Sequence, residues 1–565
     1  MSTPHAHPRF APVALALALA TGFAARPTAL PAQAITVYAE AYGQEWTGLG
    51  SSIPLYLFNH FQLPEAGQAE ALDLIIDSLD LQYLQDYPEF RIAAEPTYYL
   101  RRAEYFQEAL ARNPDLDIVL VGSLYPPDLR HDTIINGREE RRLDTRRDDI
   151  YGAVAEWYLE MMTYYAEAGV EVDILNLVNE PFQVPRRFGV SANPEPERFV
   201  GLLFDRAVDS LRAYVADPAR NTSGVAMPLI MGPSDIGPSG SVRMIQYLQR
   251  EVPEAYDNID IVSFHQYTAG TSQVTISTLD RITGDKPLHQ SEMHTNRGEN
   301  IASINVLDKE DRGVLSLAAI FAAAVNGGAN AWYYFLNVFP DDDSNPGLLQ
   351  IQGGFERPRP FRQYYALKQL GATQPVGSRR VDRDVEGIGA DGDVVAFRRE
   401  GSDTVVVHYA NYLPEPREVD LRILDDQGGQ PLAIEYVVPR LSDTTVNDSA
   451  LARIAVDDAL APVTLSAPAF SLNTYVVVLG EASGLSPKRA PAESISVTWE
   501  GEEVVVRAAA GIPLDEVRLV GMDGRVLART DGASARFATG GLAAGVYVVT
   551  ARTGAGVVSR RVVVW

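Results

Sequence analysis

The chain has 565 residues, 46% of them hydrophobic and 22% charged, a globular composition in a sequence too long for one ordinary domain. A net charge of −26 disfavours nucleic acid and anionic lipid as partners and leaves neutral polymers such as polysaccharides unrepelled. Cysteine is absent, which excludes disulfides and thiolate–metal sites.

The N-terminus reads as a targeting segment. Arg9 precedes the apolar run 11–20, and small residues follow as far as Ala32-Gln33-Ala34, an A-x-A cleavage pattern. Residues 1–34 are therefore expected to be a signal peptide, with a mature chain from about Ile35. The apolar run is too short for a permanent membrane span, and no later stretch is long enough for one.

From 35 to 375 short apolar runs alternate with amphipathic stretches. The runs fall at 47–53, 90–96, 117–123, 172–180, 228–234, 260–267, 286–292 and 330–335. Near-continuous aliphatic runs suit parallel strands buried on both faces. Helical spacing marks 98–112, 150–168, 197–215 and 313–326. Eight such units predict an α/β fold, a (β/α)8 TIM barrel, with a doubly wound open sheet as its rival. Unusual polar residues at the C-terminal ends of several runs favour the barrel, which gathers its chemistry there. Residues 376–481 alternate as strands between Gly, Asp and Pro and predict a β-sandwich. The Pro-, Ala- and Ser-rich stretch 482–493 reads as a linker, and 494–565 as a small β-module.

Two glutamates stand out. Glu180, in Val178-Asn179-Glu180-Pro181, ends the fourth run, and Glu292, in His289-Gln290-Ser291-Glu292, ends the seventh. Strands four and seven of a barrel face each other across its mouth, so the two carboxyls can converge on one bond. Glycosidic cleavage needs such a pair, one carboxylic acid for the leaving oxygen and one carboxylate to attack or to activate water.

These features resemble the clan A glycoside hydrolases. The resemblance implies that Glu180 is the general acid/base, Glu292 the nucleophile and the outcome retaining. Family 30 of that clan is the most similar, on Gly48-Leu49-Gly50-Ser51-Ser52, Ser123-Leu124-Tyr125-Pro126-Pro127 and the junction around Tyr364-Tyr365-Ala366-Leu367. The tryptophan usual before the Ser-Pro-Pro element is missing, and families 5, 39 and 79 stay open. The same resemblance makes Asn179 a ligand of the sugar 2-hydroxyl and Arg91 a contact of the nucleophile region. It places Tyr267 and His265, ending the sixth run, beside the nucleophile, and Trp332 as the aromatic floor of the sugar site. Tyr125 and His294 are further candidates.

The last module, with Asp523-Gly524 between two β-runs, resembles the type A C-terminal sorting domain of the type IX secretion system. That implies export through the type IX machinery to the surface or surroundings of a Gram-negative bacterium. A carbohydrate-binding module is the alternative. Asp341-Asp342-Asp343 lacks the spaced ligands of a calcium loop. No clustered His motif supports zinc, and no Gly-rich loop supports a nucleotide. No cofactor is expected. The function expected is cleavage of a β-glycan of xylan or β-glucan type, probed against two alternatives: an exo-acting β-glycosidase, and an inactive polysaccharide-binding protein.

Overall fold

The computed structural model describes residues 33–53, 57–88, 91–122, 125–135, 138–182, 196–267, 273–294, 312–340, 347–425, 429–443, 446–480 and most of 495–564. Residues 1–32 of the expected signal peptide 1–34, the linker 482–493, the acidic run 341–343 and the Asp523-Gly524 turn lie outside them.

Strand β1 (Gln33–Glu45) comes first, and β2 (Gly48–Ser52), β3 (Leu81–Asp86) and β4 (Asp117–Val121) follow. A hairpin of β5 (Arg130–Ile135) and β6 (Arg138–Leu143) is inserted before β7 (Ile174–Asn176). Then come β8 (Leu229–Asp235), β9 (Ile261–His265), β10 (Leu288–Met293) and β11 (Ala331–Tyr334). Strands β2, β3, β4, β7, β8, β9, β10 and β11 close in that order into a parallel barrel, the TIM fold. Alternation along each strand explains the near-continuous apolar runs. Tyr83, Val119, Ile174, Met231, Ile261, Ala331 and Tyr333 fill the interior. Leu84, Leu120, Leu175, Ile230, Val262 and Trp332 face the helices. Of these helices, α1 (Leu57–His60), α2 (Glu65–Leu72), α3 (Pro96–Arg112) and α4 (Ile150–Glu167) cover the first half.

The second strand departs from the sequence reading. Residues 91–95 form a turn that leads into α3, whose first residue, Pro96, suits a helix start. The strand is Leu81–Asp86, whose polar residues hide it from a search for apolar runs. Gln85 accepts from Ser52 Oγ at 3.0 Å, and Asp86 is paired with Arg102.

The barrel begins at Gly48, later than residue 35. Strand β1 belongs to the β-domain, between Arg379–Glu386 (antiparallel) and Arg417–Leu424 (parallel). That domain is one ten-stranded sheet curled over its own core of Ile35, Val37, Val381, Val407, Val419 and Val477. The period-two burial of Ile35, Val37 and Ala39 explains why β1 joins it. Gln33, at its start, is buried. Its amide donates to Gly387 O, and its carbonyl accepts from Tyr409. The β-domain packs on the barrel through Trp46, which lies edge-on to Phe321 and Phe397. Within 495–564 a three-stranded and a four-stranded sheet share a core of Val504, Val517, Leu519, Phe537 and Val549. Among the described residues no helix is long and apolar enough to cross a membrane.

Candidate active site

The C-terminal mouth of the barrel is built on a floor of small polar groups. Ser234 Oγ lies 2.7 Å from Asn176 Nδ2, 2.6 Å from Ser263 Oγ and 3.0 Å from Ser291 Oγ, all buried. These side chains come from four adjacent strands, β7 to β10, and tie the strand ends together just below the glutamates. Ser234 and Glu180 both adopt left-handed backbone conformations, with φ of 50° and 49°. For a non-glycine residue this costs on the order of 1–3 kcal/mol and is held only by over-determined surroundings. Here the Glu180 N–H donates to Ser234 O at 2.9 Å. The turn redirects Glu180 from its strand into the mouth.

Glu292 approaches from β10. One oxygen of each glutamate and a ring nitrogen of His265 lie within 4.8 Å of one another. His265 Nδ1 is 3.0 Å from Glu180 Oε1, and its Nε2 is 3.9 Å from Glu292 Oε2. Tyr267 donates to Glu292 Oε1 at 3.0 Å, and Tyr87 donates to Oε2 at 2.5 Å. Burial raises the Glu292 carboxyl above the usual range. The His265 ring lowers it again, Glu180 adds to the rise, and the two tyrosine hydroxyls oppose it. Burial also lowers the His265 ring, which keeps it neutral at pH 7. Tyr87 and Tyr267 donate to the two oxygens of Glu292, so the group reads as a carboxylate pair.

Asn179 is buried beside Glu180, and its Oδ1 has no hydrogen-bond partner among the described residues. His294 is half-buried, its ring 5.0 Å from Tyr267 and 6.0 Å from Phe335. The structure thus brings Glu180, Glu292, Asn179, His265, Tyr267 and His294 together.

Three expected residues lie elsewhere. Arg91, in the turn after β3, pairs with Asp128 and Glu160 at 2.8 and 2.7 Å, away from the glutamates. Trp332 points outward from β11, packs on Phe321 and Tyr334, and donates to Gln266. Strand alternation sends Ala331 and Tyr333 inward instead, and Phe335 lines the mouth, edge-on to Tyr87 at 5.6 Å. Tyr125 packs on Trp157 and donates to Leu177 O at 2.8 Å, steadying the strand that carries Glu180 without reaching it. Ser123 and Leu124 of the same element lie outside the described residues.

Tyr87 and Asp235 were missed. Tyr87 follows the polar strand that the apolar search passed over. Asp235, ending β8, accepts from Phe182 N–H at 2.9 Å, and a Cβ at Gly240 would collide with its carboxyl. Its signal in the sequence is an acid directly after a buried Ser, weak unless the strand register is known.

No family model matches the sequence, and no curated protein matches it. Solved structures do share its fold. A family 30 endoxylanase from Clostridium papyrosolvens C71 matches with a TM-score of 0.59 at 18% identity, over 79% of this chain and 100% of its own. The catalytic domain of family 30 xylanase C from Talaromyces cellulolyticus matches at 0.60 and 15%, over 79% and 100%. An endo-β1,6-glucanase matches at 0.54 and 12%, over 80% and 96%. At these identities the likeness is one of fold, a TIM barrel plus β-domain as in family 30 glycoside hydrolases.

Proposed function

We propose that the chain is a retaining glycoside hydrolase acting on a β-linked polysaccharide of xylan or β-glucan type. The observation that carries this is the convergence of Glu180 and Glu292, from barrel strands four and seven, within 4.8 Å. Retaining enzymes hold their carboxyls about 5–5.5 Å apart, and inverting ones leave room for a water at about 6.5–9.5 Å. Two of the structural neighbours are xylanases and one is a β-glucanase, which supports a β-glycan as the substrate class.

Two carboxyls this close do not both ionise readily, and a retaining mechanism needs the charge on one and the proton on the other. Two tyrosine hydroxyls aim at Glu292, which favours the charge there and the proton on Glu180. A neutral His265 suits that state, with Nδ1 accepting from protonated Glu180 and Nε2–H facing the Glu292 carboxylate. In the first step the Glu292 carboxylate attacks the anomeric carbon while Glu180 protonates the departing glycosidic oxygen. In the second, Glu180 takes a proton from water, whose oxygen displaces Glu292 with the same stereochemistry as the substrate. The unpartnered Asn179 carbonyl is placed to accept from a sugar hydroxyl. Phe335 offers a partly open aromatic face to the ring.

We extend the proposal to export, from the signal-like segment that precedes Gln33 and from the resemblance of 494–565 to a type IX sorting domain. The test is an assay of wild type, Glu180→Gln and Glu292→Gln on xylans, β-glucans and aryl β-glycosides. Wild type should cleave with retention, and both variants should lose at least about a hundredfold in kcat. A wild type that binds these glycans and cleaves none overturns the reading, as does full activity in Glu292→Gln.

A further inference from the structure

The contacts of Glu292 continue outward through Tyr87 into the wall between barrel and helices. Asp86, the last residue of β3, is fully buried and accepts from Arg102 Nε at 2.8 Å and from the Tyr165 hydroxyl at 3.1 Å. Arg102, on α3, is itself buried, and its guanidinium lies 3.4 Å above the ring centre of Tyr98. Tyr98 is four residues earlier on the same helix, the spacing that lets two side chains stack. Its hydroxyl donates to the main-chain carbonyl of Tyr87 at 2.9 Å. The short segment Asp86-Tyr87 is therefore gripped twice from outside the barrel, by its first side chain and by its second carbonyl. On the inside, Tyr87 donates to Glu292 Oε2 at 2.5 Å.

A buried ion pair is poor value as a stabiliser, because apolar residues of similar shape serve as well or better. Its placement here suggests a different use. We propose that the Asp86–Arg102 pair and Tyr98 form a positioning device that holds the Tyr87 hydroxyl on Glu292. Its catalytic consequence rests on the glycosidase reading; its geometric content does not. The device fills the role that sequence reasoning gave to Arg91.

The other groups facing Glu292 are Glu180 from the end of β7, and His265 and Tyr267 from β9 and the residues after it, with Asp235 of β8 acting on His265. They stay in place in every variant below. Tyr98→Phe keeps the ring under Arg102 and removes the hydroxyl that donates to Tyr87 O, so it is the variant expected to fold normally. Arg102→Met breaks the ion pair, and Arg102→Lys restores its charge. Two readouts are needed: kcat and KM across pH, and the carboxyl 13C titration of Glu292, identified by its loss in Glu292→Gln. Tyr87→Phe should move the Glu292 titration and the acid limb of kcat/KM upward by about one pH unit, since a donor to the charged form is lost. It should also lower kcat about tenfold. Tyr98→Phe and Arg102→Met should move both in the same direction with KM within about twofold of wild type, and Arg102→Lys should recover part of the shift. Tyr87→Phe combined with Tyr98→Phe should go no further than Tyr87→Phe alone.

An unmoved titration in Tyr98→Phe and Arg102→Met, with a lowered Tm, overturns the proposal and leaves a purely structural pair. If wild type cleaves no glycoside while the titration still shifts as described, the functional reading fails and the positioning device stands.

Discussion

Asp235 lies at the junction of stability and chemistry, and replacing it with asparagine tests both. Burial is the main cause that lifts its carboxyl from 3.8 to about 6. When ionised, Glu180 adds to the rise and His265 opposes it, and the N–H groups of Phe182 and Ile236 also pull the value down. A carboxyl raised on folding contributes stability that is fully present below the unfolded value near 3.8. That contribution is lost as pH rises through about 6. A gap of about two units at about 1.4 kcal/mol each amounts to about 3 kcal/mol. Above pH 7 the ionised carboxylate therefore destabilises the fold by roughly that much. Asp235→Asn removes the charge and keeps an oxygen to accept from Phe182 N–H. Urea unfolding followed by tryptophan fluorescence, compared with wild type at steps from pH 3.5 to 8, is the assay. The variant should be more stable at pH 8 by about 2–3 kcal/mol, with the advantage fading toward zero at pH 3.5. Its kcat should fall as well, because His265 loses its carboxylate neighbour. A variant less stable than wild type at pH 8, or an equal gain at both ends of the range, refutes the reasoning.

His60 on α1 is buried between Phe61 and Tyr105 with neither ring nitrogen bonded among the described residues, and burial lowers it from 6.5 to about 4. Its contribution is present above pH 6.5 and lost as pH falls through about 4, so acid should remove about 3 kcal/mol that His60→Leu keeps; parallel unfolding curves of the two proteins would contradict this. Phe335→Ala should raise KM for oligosaccharides about tenfold with little change in Tm. Trp332→Phe should do the reverse, lowering Tm and sparing KM, and matched kinetics and calorimetry decide between the two aromatics. If the chain is processed on export, mass analysis of its N-terminus should find Gln33 retained, because the side chain is buried and bonded at both ends. A mature chain that starts at Ile35 would contradict this.

Much of the barrel was legible because strands buried on both faces read as apolar runs, and seven of the eight do. The exception, β3, carries Gln82, Gln85 and Asp86 for partners that sequence does not reveal. That one omission removed Tyr87 from view and put Arg91 in its place. Glu180 and Glu292 were readable because each ends a run, whereas Trp332 failed on a one-residue question of which face it takes. In a period-two strand that question separates the barrel mouth from the helix layer. Strand β1 was assigned to the wrong domain because its alternation names a half-buried strand and not the sheet that receives it.

The place of β1 in the interior of the β-domain sheet has a consequence for how the protein can be assembled and dissected. The start of the chain must wait for residues 379–386 and 417–424 before it finds either neighbour. Emergence from the ribosome therefore leaves the first strand unpaired until the whole barrel has been made. The same clasp makes the barrel a poor cassette. Cut off after Gly371, it would carry an orphaned strand with two open edges and a bare patch around Trp46, a ready template for aggregation. The two ends of the barrel are fastened by one sheet, and trimming either one loosens both.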